Sequence, residues 1–161
     1  ERSRINTIAE FVKYAREQLA PLGVRVSVDI FGYAASVPAA EGIGQDFVKI
    51  SQNVDVISPM IYPSHYSGGW FGLPVPDREP YRTVAGAMRD TLEKLKPLEE
   101  SGLKPIIRPW LQDFTATWVK GHIRYGAKEV EAQIQALHDY GINEYLLWNA
   151  GNKYTADADF R

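Results

Sequence analysis

The chain has 161 residues, 45% of them hydrophobic, so a single domain with its own core is the expectation. A formal charge of -2, with 24% charged residues scattered along the chain, supplies no basic field for nucleic acid or an anionic membrane. There is no cysteine for a disulfide framework or thiolate metal site, and no apolar run approaches the roughly 18 residues of a membrane span.

In chain order, Ile5, Ile8, Val12, Ala15 and Leu19 recur at spacings of three and four, which predicts a helix from Arg4 to Ala20. Pro21 and Gly23 stop it. The run Val24 to Phe31 then alternates as a strand does. Its valines and Ile30 share one face, and Arg25, Ser27 and Asp29 share the other. A looser stretch leads to a short helix near Gln45 to Gln52. A second strand follows from Val54 to Tyr62, where Pro59 removes a ladder donor and predicts a bulge or the end of pairing.

The segment Pro63 to Pro80 carries Trp70, Phe71, three glycines and four prolines, and a loop of that length reads as functional or lid-like. Pro80 opens the best-patterned helix, which runs to Glu100 with Tyr81, Val84, Met88, Leu92 and Leu95 in one stripe. A third strand is expected over Pro105 to Gln112 and a last helix from Ala127 to Tyr140, with Val130, Ile134 and Leu137 inward. Glu144 to Trp148 is the fourth strand.

Strand, aromatic-rich polar loop and helix in repeated order are the signature of an α/β fold with a parallel sheet, of the (β/α) TIM-barrel type. A closed barrel needs eight strands and about 250 residues. Four βα units are countable here, so the expectation is half a barrel. The four strand exits deliver Asp29 and Tyr33; Tyr62, Ser64, His65 and Tyr66; Trp110, Gln112 and Asp113; and Trp148, Asn149 and Asn152.

Flat rings suit the C–H faces of a sugar, while carboxylates and amides suit its hydroxyl rim. Glycoside hydrolysis needs two carboxyl groups flanking the bond, and Asp29 and Asp113 are the carboxylates at predicted exits. Tyr62, His65, Trp110, Gln112, Trp148 and Asn149 are the candidate substrate contacts. Each candidate has a plainer reading. Asp29 pairs with Arg25 or Arg108, Asp113 caps a turn, Trp148 fills core, and His65 is a solvated loop histidine. No histidine pair has metal-ligand spacing, and no glycine-rich phosphate cradle or nucleophile elbow is present, so neither metal nor cofactor is expected.

Four segments carry a family resemblance: Val26 to Gly32, Ile57 to Tyr66, Arg108 to Phe114, and Leu147 to Ala150. In this order they resemble the glycoside-hydrolase-like domain family DUF4015, of bacterial proteins placed among (β/α)8-barrel glycosidases, over nearly the whole chain. The resemblance implies that residues 1–161 are strands five to eight of such a barrel, its C-terminal half. It also implies an acidic motif at the end of strand four, upstream of Glu1, and a secreted or cell-envelope setting. If that motif holds the general acid, this segment alone is not a competent enzyme. Asp29, Tyr62, Gln112 and Asp113 match family motif positions.

The expected function is therefore hydrolysis of a bacterial polysaccharide or cell-envelope glycan, with Asp29 as a catalytic or stabilising carboxylate. Two rivals are a non-catalytic carbohydrate-binding barrel and a structural or assembly domain. The expected partners are a carbohydrate and either the other half of the barrel or a second copy, because open strand edges invite association.

Overall fold

The structure is a computed structural model that describes residues 3–161. It is α/β, with a parallel sheet and helices between the strands, as a partial (β/α) barrel requires. The helices are α1 (Arg4–Leu19), α2 (Phe47–Ser51), α3 (Pro80–Glu100) and α4 (Ala127–Asp139). The strands are β1 (Ser27–Phe31), β2 (Val56–Ile61), β3 (Ile106–Ile107), β4 (Trp110–Gln112) and β5 (Leu146–Trp148), in the order β1-β2-β4-β5 with β3 also on β2. The chain divides into two compact units, Glu1–Pro59 with Asp90–Arg108, and Met60–Arg89 with Pro109–Arg161.

In the first unit, the Ser3 hydroxyl caps α1 by accepting from the Asn6 N–H at 3.3 Å. The helix closes through a turn of 3-10 helix into Gly23 at φ 68°, a left-handed conformation that glycine adopts without a Cβ clash. Only Val12 of the predicted stripe is buried, while Leu19 and the off-stripe Phe11 are exposed. The first strand is shorter than expected. Val24 to Val26 fall outside it because Asp55 takes up the main chain there. Its Oδ2 accepts from the Val26 N–H at 2.7 Å, and its Oδ1 accepts from Arg16 at 3.0 Å.

Within β1 the alternation is as expected, with Ile30 buried and Ser27, Asp29 and Phe31 exposed. The turn that follows is held by Lys94 of α3, whose amine donates to the carbonyl oxygens of Ala34, at 3.0 Å, and Val37. Burial lowers the pKa of this amine, and the charges of Asp46 and Asp90 act against that shift.

In the second unit, Met60 and Ile61 pair with Trp110 and Leu111, and Trp110, Leu111 and Gln112 pair with Leu146, Leu147 and Trp148. As expected, the ladder is disrupted at Pro59: pairing lapses over Ser58 and Pro59, between Ile57 with Ile107 and Met60 with Trp110, and then resumes. Opposite the gap, Arg108 and Pro109 split one expected strand into β3 and β4. Helix α3 has the predicted bounds, and Val84, Met88 and Leu95 are fully buried. Its stripe starts at Val84, since Tyr81 turns outward to donate its hydroxyl to Asp139 at 2.6 Å. Helix α4 buries Val130, Ile134 and Leu137 as the pattern predicts, and also buries Gln133.

The segment 63–80 is packed down and does not have the open character of a lid. It contains three turns of 3-10 helix, Pro63–His65, Trp70–Gly72 and Pro76–Arg78. The rings of Tyr66, Trp70 and Phe71 lie 5.2 to 5.8 Å apart. Phe71 is held at φ 55°, and its ring lies against Gly86 of α3, where an added Cβ would come within 2.5 Å of it.

Candidate active site

The second unit gathers most of the residues expected at strand exits. Tyr62 follows β2 directly, and Pro63–His65 turns immediately after it. The Tyr62 and His65 rings meet edge to face at 5.2 Å. Phe114, two residues beyond β4, lies 5.9 Å from Tyr62 and 6.5 Å from His65. Tyr62 is buried, while His65 keeps an exposed edge. His65 Nδ1 shares a hydrogen bond of 3.1 Å with the Ser64 hydroxyl, and desolvation lowers its imidazole pKa. The ring is therefore neutral near pH 7, able to accept at one nitrogen and donate from the other.

A second aromatic pair comes from β4 and β5. Trp110 and Trp148 meet edge to face at 5.9 Å and 87°. Trp148 is 44% exposed, which is too open for the core-filling role that a strand-end tryptophan commonly has.

Gln112 holds the exits in place from beneath. Its side-chain oxygen accepts from the Ser64 N–H at 3.0 Å, and its amide nitrogen donates to Asp77 at 3.0 Å and to the Phe114 carbonyl at 3.1 Å. Gln133 of α4 serves the Gln112 main chain, accepting from its N–H at 2.9 Å and donating to its carbonyl at 2.8 Å. Gln112 is 0% exposed, so the expected substrate contact is replaced by a positioning role. An amide with both ends engaged and no accessible surface has nothing to offer a ligand.

Asp113 has a similar fate. One carboxylate oxygen accepts from the Thr155 N–H at 2.8 Å and the other from the Thr155 hydroxyl at 2.6 Å. Its carbonyl accepts from Asn149 at 2.6 Å. At 3% exposure, Asp113 fastens the segment after β5, and does not cap its own turn. The Asn149 side-chain oxygen accepts from the Gly151 N–H at 2.8 Å, so this amide shapes the turn after β5.

Two contributors escaped sequence reasoning. Asp77 is 1% exposed and accepts from Gln112 and, at 3.2 Å, from the Ile123 N–H. Its carbonyl accepts from the Tyr125 hydroxyl at 2.8 Å. Burial, reinforced by the Asp77 and Glu129 charges, raises the Tyr125 pKa and keeps that hydroxyl a neutral donor. Asp77 lies within a proline-rich loop, and no spacing rule links it to Gln112, 35 residues on. The other is Phe114, whose part in the ring cluster depends on a turn that periodicity does not register.

Asp29 belongs to the first unit, where it is exposed on β1. Among the described residues, no three of His, Asp and Glu converge as a metal site would need. No helix among them is long and apolar enough to cross a membrane.

The parallel α/β fold agrees with the family comparison. Residues 1–154 match the model of DUF4015, described as a putative glycosyl hydrolase domain. The chain belongs to the DUF4015 family. Comparison with curated proteins gives no match. In DUF4015 terms, the match takes in β1 to β5 together with Asp29, Tyr62, His65, Gln112, Asp113 and Trp148.

Proposed function

We propose that this DUF4015 chain works as part of a glycoside hydrolase acting on a bacterial polysaccharide or cell-envelope glycan, as strands five to eight of a (β/α)8 barrel. The observation that supports this best is the ring cluster of Tyr62, His65 and Phe114 beside the β2 and β4 exits. The accessible rings of His65 and Phe114, backed by buried Tyr62, suit the C–H faces of a pyranose, and a neutral imidazole hydrogen-bonds a hydroxyl as either partner. Asp29 is the carboxylate we assign to catalysis or charge stabilisation. Its side chain is exposed, whereas Asp113 is buried beneath the segment that carries Thr155. Asp113 accordingly serves as a positioning residue in this scheme.

The engagement of Asp113 also favours a second reading, a carbohydrate-binding barrel without catalysis. Glycoside hydrolysis uses two carboxyl groups, and Asp29 alone is assigned here. One experiment separates the two. Full-length protein and its Asp29→Asn variant are incubated with purified bacterial cell-wall polysaccharide, and reducing ends are counted. The hydrolase reading expects release by the native protein and a loss of about a hundredfold or more in the variant, the scale of an acid–base group. Equal release from both removes Asp29 from the chemistry. Binding by calorimetry with no reducing ends from either protein establishes the non-catalytic reading.

A further inference from the structure

We propose that Trp118, seated on Phe114, is an outer saccharide platform that takes a further sugar of a glycan chain. This rests on the carbohydrate reading above and adds a second subsite to it. The Phe114 and Trp118 rings are stacked, with centroids 5.9 Å apart and planes inclined by only 22°. Phe114 is also the ring that meets Tyr62 and His65. Tyr62, Phe114 and Trp118 thus form a continuous aromatic row that starts at a strand exit and ends at the surface. Trp118 is 67% exposed, so the indole face turned away from Phe114 is open.

A large exposed ring is usually avoided, because it costs hydration free energy and invites unwanted contacts. This one is also held firmly by the loop that carries it. The Val119 N–H donates to the Ala116 carbonyl at 3.0 Å, and the His122 N–H donates to the Val119 carbonyl at the same distance. Farther along, the Ile123 N–H donates to buried Asp77 and the Tyr125 N–H donates to the Thr115 hydroxyl at 3.0 Å. A ring fixed before binding loses little freedom when a flat partner arrives, and this preorganisation raises affinity. The C–H face of a pyranose is such a partner, and a chain of sugars can place one ring here while another occupies the Tyr62 and His65 end.

The test uses full-length protein with disaccharides and hexasaccharides of β-1,4-linked N-acetylglucosamine, β-1,4-linked glucose and α-1,4-linked galacturonic acid. Dissociation constants are measured by calorimetry for the native protein, Trp118→Ala and Trp118→Phe. The native protein should bind one of the hexasaccharides about tenfold more tightly than its disaccharide, the scale of a single added ring contact. Trp118→Ala should remove that ratio while leaving disaccharide affinity and the melting temperature unchanged, and Trp118→Phe should restore part of it. A length ratio that survives in Trp118→Ala, or an equal loss for both lengths, overturns the platform and leaves the Tyr62 and His65 reading standing. No binding of any of these saccharides to the native protein overturns both.

Discussion

Asp29 on β1 and Asp113 after β4 look alike in sequence, as aspartates at the ends of β-branched or aromatic runs, yet one is exposed and the other buried. Asp29 is exposed on a polar strand face. Asp113 is 3% exposed, with both carboxylate oxygens filled by one threonine 42 residues later. A carboxylate buried beneath protein donors cannot meet a ligand, while an exposed one has surface to offer. Position at a strand exit nominates a residue for chemistry, and its hydrogen bonds then decide whether it can take part.

The sharpest way to break this contrast is to remove each carboxylate. Asp113→Ala loses two charge-assisted hydrogen bonds and leaves the Thr155 donors without a partner, an expected cost of about 3 kcal/mol. For a chain of this size that lowers the melting midpoint by roughly 6 to 12 °C. Asp29→Ala should cost less, about 1 kcal/mol at most, because a contact made by an exposed carboxylate is screened by solvent. Calorimetric melts of both variants check this. Equal losses would show that Asp29 is also structural and would end its assignment to catalysis.

These two residues also show what was legible beforehand. Strand and helix positions followed from periodicity, and α3 and α4 were readable nearly to the residue because Pro80, Gly102 and Gly141 punctuate them. The placement of Tyr62, His65 and Trp148 at strand exits was legible for the same reason, whereas Trp110 proves to open β4. The bonding of Gln112 and Asp113 was not. Gln112 is satisfied by Ser64, Asp77 and Gln133, and Asp113 by Thr155, all from segments that local pattern cannot bring together. Pro59 was legible as a lost donor, and the ladder does lapse there, but the split of the neighbouring segment at Arg108 and Pro109 was not foreseen.

The second contrast is between loops. Segment 63–80 reads as functional or lid-like from its length and its own aromatics, but Phe71 ties it to Gly86. A Gly86→Ala substitution would place its methyl group within 2.5 Å of the Phe71 ring, which is stiff and already held at a positive φ. Overpacking of this kind costs about 1 to 3 kcal/mol. The effect should be local as well as global, with faster amide exchange over residues 66–73 than in the native protein. Unchanged exchange there would show that the loop is independent of α3.

The smallest expected effect concerns His65, which falls between the two aspartates in character, with an exposed edge and a desolvated ring. Desolvation disfavours the charged imidazolium, so the folded pKa lies below the usual 6.5. When pH is below the folded value, the ring is protonated in both folded and unfolded states, and the full burial penalty is present. As pH climbs from the folded value to about 6.5, the unfolded chain holds more protons and stability rises; above that range it is level. Acidification through this window should therefore destabilise the native protein more than His65→Gln, which has no proton to gain. A proton NMR titration of the ring checks the same point, with its midpoint expected below 6.5. A midpoint at or above 6.5 would mean that the cluster around Tyr62 and Phe114 does not exclude water from this ring. His65 would then be a solvated loop histidine, and the neutral hydrogen-bonding partner assigned to a sugar hydroxyl would be lost.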